Sequence, residues 1–177
     1  VTWFPSPHDP QQELPQGVEN AGRLYADAPT KKPGYFREIT LLDQQIGRLQ
    51  ATLSELGIRD DTVFLYCSDN GGLVAESSGG RAKKGSIYEG GLRVPAILQW
   101  PSRYGATQIN TPAFSADLYP TFAKIAGAPM PSDAVLDGVD LTPIIEGAQT
   151  TRPPMGFWHG HTPGQSTWSD RIIKALM

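Results

Sequence analysis

Apolar residues recur at steps of three and four positions between Tyr35 and Leu56, which is the pattern of an amphipathic helix. Gly57 follows directly, and a glycine just past the last apolar position is typical of a helix end. The pattern therefore predicts one long helix that stops at Gly57. Its apolar positions are Phe36, Ile39, Leu42, Ile46, Leu49, Leu53 and Leu56.

Two short runs rich in β-branched and aromatic or aliphatic residues predict strands. Residues 62–68, TVFLYCS, predict a buried strand. Residues 94–100 predict a second strand, with Pro95 at its start or on a sheet edge. A helix, a turn, a strand and a polar tip in this order predict an α/β fold.

The second half of the chain predicts shorter elements. Ser115 is placed to cap a helix over residues 116–126, with Pro120 near its first turn and Gly127 after it. A short helix is predicted at 141–145, a strand at 155–158, and the start of another strand from Arg171 to the last residue.

Composition narrows the classes of function. The chain has 177 residues and a formal net charge of −3, from 15 Lys and Arg against 18 Asp and Glu, which argues against nucleic-acid binding through bulk positive charge. No apolar run approaches the roughly 18 to 20 residues of a membrane span. Cys67 is the single cysteine, so an intrachain disulfide and a thiolate metal cage are both excluded.

The first 33 residues contain six prolines, which predict an ordered loop region rather than a helix. The first ten residues do not combine a basic start with an apolar core, so no signal peptide is visible in them. The cellular compartment is therefore left open by this sequence.

Asp69 and Asn70 follow the first predicted strand, at the end where α/β folds place their ligands. A carboxylate and an amide oxygen are hard ligands suited to Ca²⁺ or Mg²⁺. The alternative is that Asp69-Asn70-Gly71-Gly72 is only a turn, because all four residues are favoured in turns.

The segment from Gly79 to Ser86 is a basic, glycine-rich loop that could hold an anion, or could be no more than a solvated loop. It differs from a phosphate-binding P-loop, because Ser86 stands where the lysine of that motif is required. His8, on a proline-rich segment, could contact a charged oxygen or act as a general acid, although a lone histidine is more often structural.

Two other candidates carry less weight. His159 and His161 have the spacing of a metal pair but lack further ligands nearby, which favours structural roles. Cys67 lies within the strand predicted to be buried, and a buried cysteine is normally unreactive.

The order of these motifs resembles the sulfatase family, and the resemblance covers nearly the whole chain. The segment from Lys84 to Pro95, KGSIYEGGLRVP, is long and specific. The other matching segments are Pro7-His8-x-Pro10, Leu42-Asp43 with Ile46-Gly47, Phe64 to Gly72, Trp100-Pro101, Asp117 to Thr121, Ala126-Gly127 and Asp137 to Leu141.

The resemblance implies an alkaline-phosphatase-like α/β sheet flanked by helices, and hydrolysis of sulfate esters with Ca²⁺, in preference to Mg²⁺, and a formylglycine nucleophile. By the same resemblance, Asp69 and Asn70 are two of the four protein ligands of the calcium ion. Lys84 is the lysine that binds the sulfate, and His8 is the histidine that contacts the sulfate near the leaving oxygen. A metal ion, an ammonium group and an imidazolium would together stabilise the charge that develops as the S–O bond breaks.

One departure from the family is important. The nucleophile of sulfatases lies in a Cys/Ser-x-Pro-x-Arg motif, and these 177 residues contain no such motif. The expectation is that residues 1–177 form a partial sulfatase catalytic domain, without the N-terminal nucleophile region and the C-terminal end, and that the isolated chain is inactive.

The expected partner is a small sulfate ester or a sulfated carbohydrate, with no nucleic acid and no membrane span. The family implies a periplasmic, secreted or lysosomal location. Two alternatives stay open, namely a phosphoester or phosphonate hydrolase of the same superfamily and a non-catalytic binding module derived from a sulfatase.

Overall fold

A computed structural model describes residues 33–73 and 78–154, together with the backbone of two short strands at 158–159 and 174–175. His8, the proline-rich segment before Pro33 and His161 lie outside the described residues. The two compact units of the chain comprise residues 1–65 with 98–103, and residues 66–97 with 104–177.

Helix α1, Pro33–Glu55, confirms the long amphipathic helix. Leu42 is buried on its apolar face, whereas Leu49 in the second half of the helix and Leu56 just after its last residue are exposed. The chain leaves the helix through a Schellman motif, in which the N–H of Ile58 donates to Leu53 O at 3.0 Å and the N–H of Gly57 donates to Ser54 O at 3.0 Å. Gly57 has a φ of +69°, which explains why glycine ends the helix at this position.

The two central strands are shorter than predicted. Strand β1, Phe64–Cys67, follows a 3₁₀ turn at Arg59–Asp61, and strand β2 is Ala96–Gln99. Together they form a two-stranded sheet. As predicted, β2 begins directly after Pro95, because a proline has no N–H to donate to a strand ladder.

The prediction that β1 is buried was wrong for the part of the chain that the structure describes. Phe64, Leu65 and Tyr66 are half-buried, and Cys67 at the end of the strand is exposed. A two-stranded sheet explains this, because its side chains have fewer covering neighbours than those of a central strand in a wide sheet.

Four-residue helix α2, Glu89–Leu92, precedes β2, and a 3₁₀ turn, Ser115–Asp117, leads into helix α3, Leu118–Ile125. Ser115 does not cap this helix. Helix α3 has no side-chain cap, and the Asp117 carboxylate accepts the N–H of Phe114 at 2.9 Å across the preceding 3₁₀ turn. Helix α4, Thr142–Ile145, confirms the short helix predicted there.

Strands β3, Trp158–His159, and β4, Lys174–Ala175, pair antiparallel, with Trp158 opposite Ala175 and His159 opposite Lys174. Strand β3 overlaps the predicted strand at Trp158, while residues 155–157 lie outside the described residues. Helices and strands alternate from α1 to β2, as the α/β prediction requires, whereas helices α3 and α4 and then strands β3 and β4 follow in pairs. Within the described ranges, no helix combines the length and the apolar character of a membrane span.

Candidate functional site

The polar tip that follows β1, residues 68–72, is hydrogen-bonded to Pro95, the residue before β2. The N–H of Ser68 donates to Pro95 O at 3.4 Å, and the Ser68 hydroxyl donates to Asn70 O at 3.0 Å. Asp69 is exposed and Asn70 is half-buried. Asp69 therefore lies just after the carboxyl end of β1, where the sequence predicted it, and a ligand can reach its exposed carboxylate.

Three glycines join this tip to helix α2. The N–H of Gly71 donates to Gly91 O at 3.0 Å. A Cβ on Gly71 would overlap the carbonyl of Gly90, one on Gly90 would overlap the carbonyl of Ala82, and one on Gly91 would overlap the carbonyl of Ser86. Close approach of main chains therefore requires glycine at all three positions. Sequence reasoning missed this role, although the Gly71-Gly72 and Gly90-Gly91 doublets were its signal.

Lys84 occupies a tight turn that hydrogen-bonds to the same tip. The N–H of Ser86 donates to Lys83 O at 3.0 Å, and Gly85 at the third position has the positive φ, +83°, of a type II turn. The N–H of Lys84 donates to Gly72 O at 2.8 Å. The main chain of Lys84 thus lies within hydrogen-bond distance of a residue only two positions after Asn70, and the Lys84 side chain is exposed.

The part of the basic loop before this turn is held by a cation–π contact and a main-chain hydrogen bond of Arg81. The guanidinium carbon of Arg81 lies 3.9 Å from the centre of the Tyr88 ring, and the N–H of Gly90 donates to Arg81 O at 2.8 Å. Ala82 has a left-handed backbone with a φ of +66°. The loop is thus held by hydrogen bonds and a cation–π contact, while residues 79–85 are exposed, so both interpretations of the loop stay open.

The donors in this region fit a hard cation in chemical type. Asp69 supplies a carboxylate and Asn70 an amide oxygen, which are ligands that Ca²⁺ takes in proteins. Among the residues that the structure describes, no group of three or more His, Cys, Asp or Glu side chains is arranged to hold a metal. His8 lies outside the described residues, so its contact with the sulfate near the leaving oxygen stays a prediction.

Asp117 is buried, whereas Asp69 is exposed. It is fully buried and forms an ion pair with Arg152, whose side chain is 6% exposed. The Nη2 of Arg152 donates to Asp117 Oδ1 at 2.9 Å, and the N–H of Val139 donates to the same oxygen at 2.8 Å. Every oxygen of this carboxylate is used within the protein, so Asp117 is structural. Sequence reasoning did not anticipate its pairing with Arg152, because the two residues are 35 positions apart.

Comparisons with known proteins match this chain to sulfatases. The family model described as Sulfatase matches residues 2–128. Human steryl-sulfatase is 41% identical over 125 residues, which cover 64% of this chain and 21% of that protein. Human arylsulfatase A is 35% identical over 151 residues, which cover 82% of this chain and 29% of that protein.

A solved structure agrees with these matches. It is described as a complex with its substrate, D-glucosamine-2-N,6-O-disulfate, and superimposes with a TM-score of 0.63 at 25% identity, covering 84% of this chain and 32% of the other. The chain therefore spans less than a third of the length of these relatives. The structural neighbours are sulfatases with the alkaline-phosphatase-like fold, of which this chain is a partial α/β segment. Because the family model covers more than half of the chain, the chain belongs to the sulfatase family.

Proposed function

We propose that this chain forms part of a sulfatase that hydrolyses sulfate esters, and that Lys84 binds the sulfate group. The observation that carries the proposal is the 2.8 Å hydrogen bond from the N–H of Lys84 to Gly72 O. It fixes the lysine-bearing turn to the segment that directly follows Asp69 and Asn70. In a member of this family, that arrangement supports a common site for a metal ion and a sulfate.

Lys84 acts through its charge. An ammonium group beside the sulfate stabilises negative charge that grows on the oxygens as the S–O bond breaks. Because its N–H is held by Gly72 O, the turn presents the side chain from a fixed main chain rather than from a mobile loop. Little reorganisation is then needed when the substrate binds.

Asp69 and Asn70 hold the metal ion in this proposal, with Ca²⁺ preferred to Mg²⁺. Bound there, the cation would supply Lewis-acid stabilisation of the sulfate oxygens. The formylglycine nucleophile of the family would come from outside this chain, because no Cys/Ser-x-Pro-x-Arg motif occurs in it. We further propose that His8 contacts the sulfate near the leaving oxygen and donates a proton to it.

The test is Lys84→Ala in the full-length protein that contains this chain, assayed with an aryl sulfate. We expect kcat/KM to fall by about 10²- to 10³-fold, the usual loss for one charge-stabilising donor. The fold should be retained, because the anchoring hydrogen bond comes from the main chain of residue 84 and any non-proline residue supplies it.

Lys83→Ala is the matched control, since Lys83 is an exposed lysine in the same turn. We expect it to leave the turnover of an aryl monosulfate almost unchanged. Unchanged kinetics of Lys84→Ala would overturn the role given to Lys84. Faster wild-type turnover of the matching aryl phosphate would instead favour a phosphoester hydrolase.

A further inference from the structure

Arg81 is a second cation on the loop that carries Lys84, and its guanidinium is held in place. It stacks on the Tyr88 ring with 3.9 Å between the guanidinium carbon and the ring centre. Stacking occupies one flat face of the guanidinium and leaves the N–H groups at its edge free to donate. The side chains of Arg81 and Tyr88 are both exposed, so a ligand can reach the pair.

The main chain fixes Arg81 relative to Lys84. Arg81 O accepts the N–H of Gly90, and the N–H of Lys84 donates to Gly72 O, both at 2.8 Å. The Cα atoms of Arg81 and Lys84 are three residues apart and therefore at most about 11 Å from each other, so both side chains can reach one sugar or two neighbouring sugars. One loop therefore carries two basic side chains, and its main chain is hydrogen-bonded at both positions.

The charge of the surrounding segment favours anions. Residues 81–93 contain four basic residues, and Glu89 is the one acidic residue of this stretch. Its carboxylate lies 3.7 Å from the guanidinium of Arg93. The segment is thus positive within a chain whose formal net charge is −3, which concentrates attraction for anions at this loop.

We propose that Arg81 binds a second acidic group of the substrate, a sulfate or a carboxylate, while Lys84 binds the sulfate ester that is cleaved. The inference rests on the proposed sulfatase function and narrows its substrate to sulfated carbohydrates with more than one acidic group. Arg81 suits this role because a guanidinium offers paired N–H donors that match the oxygens of a sulfate or a carboxylate.

The experiment compares two substrates in the full-length protein, namely an aryl monosulfate without other acidic groups and a disulfated glucosamine. Arg81→Gln should raise KM for the disulfated sugar about tenfold, the loss of one charge-assisted contact, with kcat little changed. The same variant should hydrolyse the aryl monosulfate as the wild type does, and that activity also demonstrates a correct fold. Tyr88→Leu, which removes the stacking surface, should raise KM for the disulfated sugar in the same direction by a smaller factor.

Lys124→Gln is the control for net charge, because Lys124 is an exposed lysine on helix α3 outside this loop. It should leave both substrates unaffected. Equal losses on both substrates for Arg81→Gln, or no loss on either, would overturn the role of Arg81 while leaving the sulfatase function intact. Failure of the wild type to hydrolyse either sulfate would instead overturn the proposed function, and this inference with it.

Discussion

Two regions of the second compact unit are ordered by different means. The loop of residues 79–92 is held by main-chain hydrogen bonds and by glycine contacts, whereas the surroundings of Asp117 are held by side chains. In the first region Lys84 stays exposed, as does Asp69 in the segment after β1 to which this loop is hydrogen-bonded. In the second region Asp117 and Arg152 are buried and form an ion pair with each other. Charged side chains can stay exposed where main-chain hydrogen bonds hold the structure, whereas a charged side chain that holds the structure is buried.

The largest expected effect comes from breaking the buried ion pair between Asp117 and Arg152. Arg152→Met leaves the Asp117 carboxylate buried without its cation, and should lower the free energy of unfolding by about 3 to 5 kcal/mol. Urea unfolding of the chain, followed by circular dichroism, measures the change. Arg93→Met is the control, because its pair with Glu89 spans 3.7 Å and its side chain is 72% exposed. Exposed ion pairs contribute only about 0 to 1 kcal/mol to the free energy of unfolding. Comparable losses of this free energy in the two variants would contradict the larger contribution assigned to the buried pair.

A smaller loss of stability is expected from adding a side chain at Gly90, where the main chain closely approaches that of Ala82. Gly90→Ala places a methyl group against the carbonyl of Ala82, and should cost about 3 kcal/mol because main chain cannot move aside as a side chain can. Gly79→Ala in the same loop meets its nearest atom, Arg93 O, at 3.5 Å, which is an ordinary contact. Equal midpoints of urea unfolding for the two variants would show that the loop does not depend on close approach.

The smallest expected effect is a gain in stability. Ala82 holds a left-handed backbone, with a φ of +66°, which is strained for a residue with a Cβ. Ala82→Gly should therefore raise the free energy of unfolding by about 0.5 to 1 kcal/mol, after the entropic cost of glycine is subtracted. Ala51→Gly, at an exposed position within helix α1, should lower it by about 1 kcal/mol. Changes of the same sign in thermal unfolding would refute the strain at Ala82.

Local patterns in the sequence predicted much of the fold. The apolar period gave helix α1 and its end at Gly57, and Pro95 marked the start of β2, because each signal lies within a few residues of the feature that it specifies. The burial of β1 was not predictable in the same way. It depends on which other segments cover the sheet, and no local pattern records that.

The site was predictable in part. The sequence placed Asp69 and Asn70 at a strand end, and the structure places them there, but their role as metal ligands stays a prediction. The link from Lys84 to Gly72 could not be predicted, because a main-chain hydrogen bond does not depend on side-chain identity. The error at Ser115 has a different origin, since helix α3 begins only at Leu118 and has no side-chain cap hydrogen bond.

The hydrogen bond from residue 84 to Gly72 tolerates different side chains at position 84. Because the peptide group and not the side chain forms this bond, any residue except proline can stand at position 84 without dismantling the turn. Gly85 and the three contact glycines, in contrast, permit almost no exchange. The choice of side chain is thereby separated from maintenance of the scaffold, so a library randomised at Arg81, Lys83 and Lys84 should yield mostly folded proteins.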